Sequence, residues 1–161
     1  MAETNTLDQA DVVDILKRAG YLMLTTAGEG GKLLSHPMSP QQVTDDADVW
    51  FFVGLQGDQA VALRKDPHVN LAISEAGNWL SVSGQVQFVD DQAKIDELWN
   101  DEAGAYFEGG RQDPNLGLMK VITDSAQHWG MTGGKLSAVA QMVKAKVTGD
   151  RPGGGSATTE L

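Results

Sequence analysis

Apolar and polar positions alternate with two different periods along the chain, and the switches between them mark its elements. Leu7, Val12, Ile15, Leu16 and Ala19 fall close to one face of a helix and predict an amphipathic helix near the start. Thr6, with Gln9 three residues on, has the form of a capping box, and Gly20 stands where such a helix ends. Residues 21–27 and 32–38 are rich in extended-chain formers and flank Gly28-Glu29-Gly30-Gly31, which predicts a hairpin. Pro37 and Pro40 limit ladder donation there, so the second strand belongs at an edge. Val49-Trp50-Phe51-Phe52-Val53 shows no alternation, as in a strand covered on both faces.

Residues 58–65 predict a short helix stopped by Asp66-Pro67, and residues 69–74 a strand. Residues 78–89 give the longest strand pattern. Leu80, Val82, Val86 and Phe88 share one face, and Ser81, Ser83, Gln85 and Gln87 the other. Gly84 completes the apolar row and predicts a bulge or a close backbone approach. An acidic helix starts at Asp90 and carries Ile95, Leu98 and Trp99 on a stripe. A loop is expected over 104–115, a strand over 116–123 and a last helix over 136–147. From Thr148 the chain turns Gly-, Ser- and Thr-rich, which predicts disorder. The organisation expected is one domain over 1–147, with its N-terminal helix, and a disordered tail over 148–161. Many short strands with short helices between them point to a mainly β fold with helical additions, closed as a barrel.

A length of 161 residues suits that single domain. With 12 basic and 22 acidic residues the formal charge is 12 − 22 = −10. This balance opposes the broad basic surface that nucleic acids or anionic membranes need. An anionic ligand has to be held by a local site working against the global field. No cysteine is present, which excludes disulfides, thiolate metal sites and cysteine nucleophiles. The first residues carry no charged-then-apolar leader pattern and no apolar run is long enough to span a bilayer, so a cytoplasmic protein is the expectation.

Local motifs say little about chemistry. His36, His68 and His128 lack the spacing of a metal site, and no metal is expected. No G-x-S-x-G elbow occurs. Gly28, Gly30 and Gly31 sit between strands and do not open a helix, so they read as a turn and not as a dinucleotide fingerprint. Gly133-Gly134-Lys135 lacks Walker spacing and reads as a connector. The aromatic residues suit a core or subunit contacts, and the acidic helix a solvated face.

An ordered set of segments is more specific. It runs Leu22-Met23-Leu24-Thr25-Thr26, Ser35-His36-Pro37-Met38, Val49-Trp50-Phe51-Phe52-Val53 and Asp66-Pro67-His68-Val69-Asn70-Leu71-Ala72. It continues through Ser81-Val82-Ser83-Gly84, Ile95-Asp96-Glu97-Leu98-Trp99, Asp113-Pro114-Asn115-Leu116 and Gln127-His128-Trp129. Over roughly residues 8–130 this resembles the general stress protein branch of the pyridoxamine 5′-phosphate oxidase-like family, the FMN-binding split barrels.

The resemblance implies a split β-barrel that forms a homodimer, with flavin mononucleotide (FMN) in a cleft at the subunit interface. His36 stands where the family usually carries an arginine for the flavin phosphate. Val53 replaces a threonine, and Gln59 aligns with a phosphate-binding lysine, with Asp58 beside it. Met38 and Phe52 are implied contacts of the isoalloxazine ring, Trp79 a neighbour of it and Trp129 a cover. The ending Gly153-Gly154-Gly155-Ser156 has nothing of the Arg-Leu-Ala-Pro type carried by the vitamin-forming oxidases, which opposes pyridoxamine phosphate as substrate. Two readings follow. One is a flavin-binding stress-response protein, with a flavin-dependent oxidoreductase activity as its extension and no side chain singled out as acid or base. The other is a non-enzymatic dimeric barrel that has lost the flavin phosphate site.

Overall fold

Asp8, rather than Thr6, opens the first helix. The computed structural model describes residues 7–75, 78–130 and 155–161, so Thr6 lies outside the described residues. Helix α1 is Gln9–Arg18. The Asp8 carboxylate accepts from the Asp11 amide at 2.9 Å and the Asp11 carboxylate accepts from the Asp8 amide. This reciprocal cap satisfies two end donors. Gln9 instead donates to the Asp45 carbonyl at 2.8 Å. At the other end Ala19 is already extended, so the helix stops without a left-handed glycine.

The strands are β1 (Leu22–Ala27), β2 (Leu33–Met38), β3 (Gln42–Val43), β4 (Val49–Gly54), β5 (His68–Glu75), β6 (Asn78–Val89), β7 (Leu116–Gly130) and β8 (Gly155–Glu160). Helix α2 (Asp58–Lys65) joins β4 to β5, and α3 (Gln92–Leu98) and α4 (Asp101–Tyr106) lie between β6 and β7. All pairings are antiparallel, in the order β2-β1-β5-β6-β7-β4-β3, with β8 paired to β7. The hairpin of β1 and β2 closes through Gly30 and Gly31 at φ +69° and +76°, which glycine adopts without strain. The proline-bearing β2 is an edge strand, as its sequence demands.

Four expectations are corrected. The acidic helix over 90–102 is two helices: Trp99 is extended between α3 and α4. The loop expected from residue 104 therefore begins only after Tyr106. Strand β7 does not end at Thr123. It runs on past a register shift in which Ser83 pairs with Ser125 and Gly84 with Thr123, so Asp124 is the extra residue of a bulge. The tail expected to be disordered over 148–161 ends in β8, because β7 beyond the bulge has a free edge that Ser156, Ala157, Thr158 and Thr159 pair with. Leu161 then packs against the main core. The helix predicted over 136–147 and the connector at Gly133-Gly134-Lys135 lie outside the described residues.

Two apolar clusters share β4. Val49, Phe51 and Val53 face the barrel core with Leu24, Leu71, Val82, Met119 and Val121, which α1 plugs with Val12 and Leu16. Phe52 points the other way, into a smaller cluster with Ile95, Ala103, Phe107, Leu116 and Leu118, against which Trp50 and Trp99 pack. The unbroken apolar run of β4 is thus a strand buried on both faces.

Candidate functional site

Where β4 leaves the smaller cluster, a cavity of about 340 Å³ opens between the end of β2, the end of β4, α2 and α4. Pro37 and Met38 form one wall, Phe52, Val53 and Gly54 the back, Gln59 one end, and Ala103, Tyr106 and Phe107 the far side. Ser39, Gln41, Tyr21 and Glu102 complete the rim. Its size and mainly apolar lining with a few polar groups are those of a small-molecule site.

Local chemistry holds each wall. The loop from β4 to α2 is fixed by Asn115, whose carbonyl accepts from the Leu55 amide at 2.8 Å and whose side chain accepts from the Gln56 amide at 2.9 Å. Asp113 orients Asn115 by accepting its amide at 2.8 Å. This gives the Asp113-Pro114-Asn115 segment a structural task. On the opposite wall Asn100 caps α4 through the Ala103 amide at 2.9 Å and donates to Gln41 at 2.6 Å. The Tyr21 hydroxyl donates to the Glu102 carboxylate, tying α4 to the start of β1. That hydrogen bond, reinforced by the carboxylate's charge, raises the Tyr21 phenol above its ordinary pKa, so it stays protonated.

The structure brings Met38, Phe52, Val53 and Gln59 together at this cavity. His36 lies two residues before Met38 on β2, and its Nδ1 is buried with no hydrogen-bond partner among the described residues. Trp79 and Trp129 do not line the cavity. They stand directly opposite one another on β6 and β7, on the sheet face that also carries Met23 and Pro37. Tyr21, Gln41 and Glu102 are rim residues that sequence reasoning missed. Tyr21 and Glu102 are 81 positions apart and meet only through the fold.

The described residues fit part of FMN. Met38, Phe52, Ala103 and Phe107 offer apolar surface to a flat ring system, and Ser39, Gln41 and Gln59 offer neutral polar groups to hydroxyls. They do not fit the 5′-phosphate. Among the described residues lining the cavity, Glu102 is the one formal charge and no Lys, Arg or His takes part. Arg64 is spent elsewhere, donating to the Leu55 carbonyl at 3.2 Å and covering the Phe88 ring at 5.1 Å.

A second hollow of about 250 Å³ lies between α1 and the far ends of β6 and β7, lined by Asp11, Asp14, Arg18, Asn78 and His128. His128 Nε2 is hydrogen-bonded to the Asn78 side chain. Burial lowers the His128 pKa, with Asp11 opposing weakly. Among the described residues no group of three metal-ligating side chains is found, and no helix is long and apolar enough to cross a membrane.

The strand order, the plug helix and the side cavity define a split barrel. Comparison with known proteins agrees. The sequence model of the family described as pyridoxamine 5′-phosphate oxidase like matches residues 8–153. The protein bli-3 of Neurospora crassa is 27% identical over 157 residues, covering 89% of this chain and 75% of its own. The crystal structure of the Jannaschia sp. CCS1 protein designated general stress protein 26 superposes with a TM-score of 0.72 at 28% identity, over 93% of this chain and 96% of that one. The general stress FMN/FAD binding protein of Xanthomonas citri superposes with a TM-score of 0.65 at 32% identity, over 76% of this chain and 87% of that one. The chain belongs to the pyridoxamine 5′-phosphate oxidase-like family.

Proposed function

We propose that this protein binds a flavin in the cavity between β2, β4 and α4, and that it works as a homodimer. The observation that carries the reading is the convergence of Met38, Phe52, Val53 and Gln59, from three separate elements, on one apolar cavity. The likeness to a flavin-binding stress protein of Xanthomonas citri adds to it. In this reading the isoalloxazine ring lies against Met38 and Phe52 and the polyol chain runs past Gln59. The orphaned His36 Nδ1 is a ring nitrogen that a ligand or a second chain can satisfy. Bound flavin supplies redox chemistry of its own; the protein binds, orients and excludes water.

The dimer rests on one sheet face. Met23, Leu33, Ile122 and Trp129 are large apolar side chains, each at least 40% exposed, and their pairing partners put all four on the same side of the sheet. Pro37 carries that face to the cavity, so a second chain seated on it brings its own Trp79 or Trp129 within reach of a flavin.

The test is a fluorescence titration of the purified protein with flavin, paired with sedimentation equilibrium. Quenching that saturates at one flavin per chain supports the reading, and Ala103→Leu, which fills the cavity, should abolish it with the circular dichroism unchanged. A second reading, a dimeric barrel that holds no flavin, is favoured by the uncompensated carboxylate at the rim. Absence of quenching in a folded dimer selects it.

A further inference from the structure

We infer that the cavity selects an uncharged flavin, the class of riboflavin, over flavins that carry a phosphate. This rests on the flavin reading and narrows it. The Glu102 carboxylate is fixed at the rim from two sides. Tyr21 donates to it, and α4, which carries it, is capped by Asn100. A second carboxylate, Asp58, is exposed in the first turn of α2, one residue before the cavity-lining Gln59, and adds negative charge near that end. Like charges across a partly desolvated cleft repel more strongly than in bulk water. The chain's net charge of −10 adds to that repulsion at long range.

A ribityl chain that ends in a hydroxyl meets no such penalty. Among the described residues Gln59 Nε2 has only the Met38 sulfur, a weak acceptor 3.8 Å away, so its amide is available to a hydroxyl. Ser39 and Gln41 line the same rim.

The experiment is a fluorescence-quenching titration of the full chain with riboflavin and with FMN, at low and at physiological ionic strength. Riboflavin should bind tighter than FMN by roughly three- to tenfold at low salt, with the gap narrowing as salt screens the carboxylates. Glu102→Gln should narrow the gap at low salt by strengthening FMN binding. Tyr21→Phe removes the hydrogen bond to Glu102 but keeps the charge, so the gap should persist. FMN binding as tightly as riboflavin to the wild type at low salt overturns the inference and leaves the flavin reading standing. A gap unchanged in Glu102→Gln overturns it too. Failure of both flavins to bind removes the flavin reading itself.

Discussion

At Gly84 one missing carbon matters, because the neighbours are backbone. A Cβ there would lie 2.5 Å from the Ile122 carbonyl oxygen and 3.1 Å from the Thr123 Cα, both backbone atoms that cannot turn aside. Gly84→Ala should therefore cost about 1–3 kcal/mol of stability, read as a lower urea midpoint at unchanged slope. The sequence made this position legible, because a glycine interrupts a row of otherwise branched and aromatic inward residues. His128 has a different consequence. Burial holds its folded pKa below the ordinary 6.5, so the unfolded chain binds more protons than the folded one in that range. Its contribution to stability is present in full above the unfolded value and is lost as pH falls through 6.5 and then through the lower folded pKa. Denaturation midpoints measured from pH 7.5 down to about 5 should fall, and His128→Gln should flatten that slope. A slope unchanged by the substitution would assign the loss to the carboxylates.

Elements with strong local punctuation were legible to the residue. Helix α2 runs over the eight positions between Gly57 and Asp66-Pro67, and β6 over the twelve that alternate. Elements defined by their partners were not. Nothing in Thr123-Asp124-Ser125 announces that β7 continues through a bulge, and Ser156-Ala157-Thr158-Thr159 is a strand only because β7 offers it an edge. An edge strand with little buried surface gives no apolar alternation to read. Removing residues 155–161 should uncover the β7 edge over 125–130 and withdraw Leu161 from the core. Hydrogen exchange should report the first as faster exchange of those β7 amides whose bonds run to β8, with the amides over 116–121, paired to β4, still protected.

At the scale of the whole molecule the exposed apolar face is the feature that most needs a partner. Trp129→Glu introduces a charge on that face and should convert the proposed dimer to monomer in sedimentation at micromolar concentration, with the far-ultraviolet circular dichroism preserved because Trp129 is 40% exposed in the single chain. A monomeric wild type would leave that face without a purpose. The candidate site was half legible at this scale. Met38, Phe52, Val53 and Gln59 emerged by resemblance to a family, through the order of segments along the chain. Tyr21 and Glu102 did not, because a tyrosine before a strand and a glutamate on an acidic helix each have an unremarkable local meaning. Only the crossing of α4 over the start of β1 gives them a joint one.

Strand β4 belongs to two cores at once, with Phe51 turned into one and Phe52 into the other. A slip of one residue would exchange both sets of contacts, so its register is locked twice over. The back wall of the cavity is therefore about as stiff as the barrel itself, and a guest molecule finds that surface already shaped. The facing wall is a six-residue helix held by the Asn100 cap and its bond to Gln41, by Tyr21 and by the one buried side chain of Ala103. Of these two walls, adaptation to ligands of different thickness has to come from the helical one, as in a vice with one fixed jaw and one sprung one.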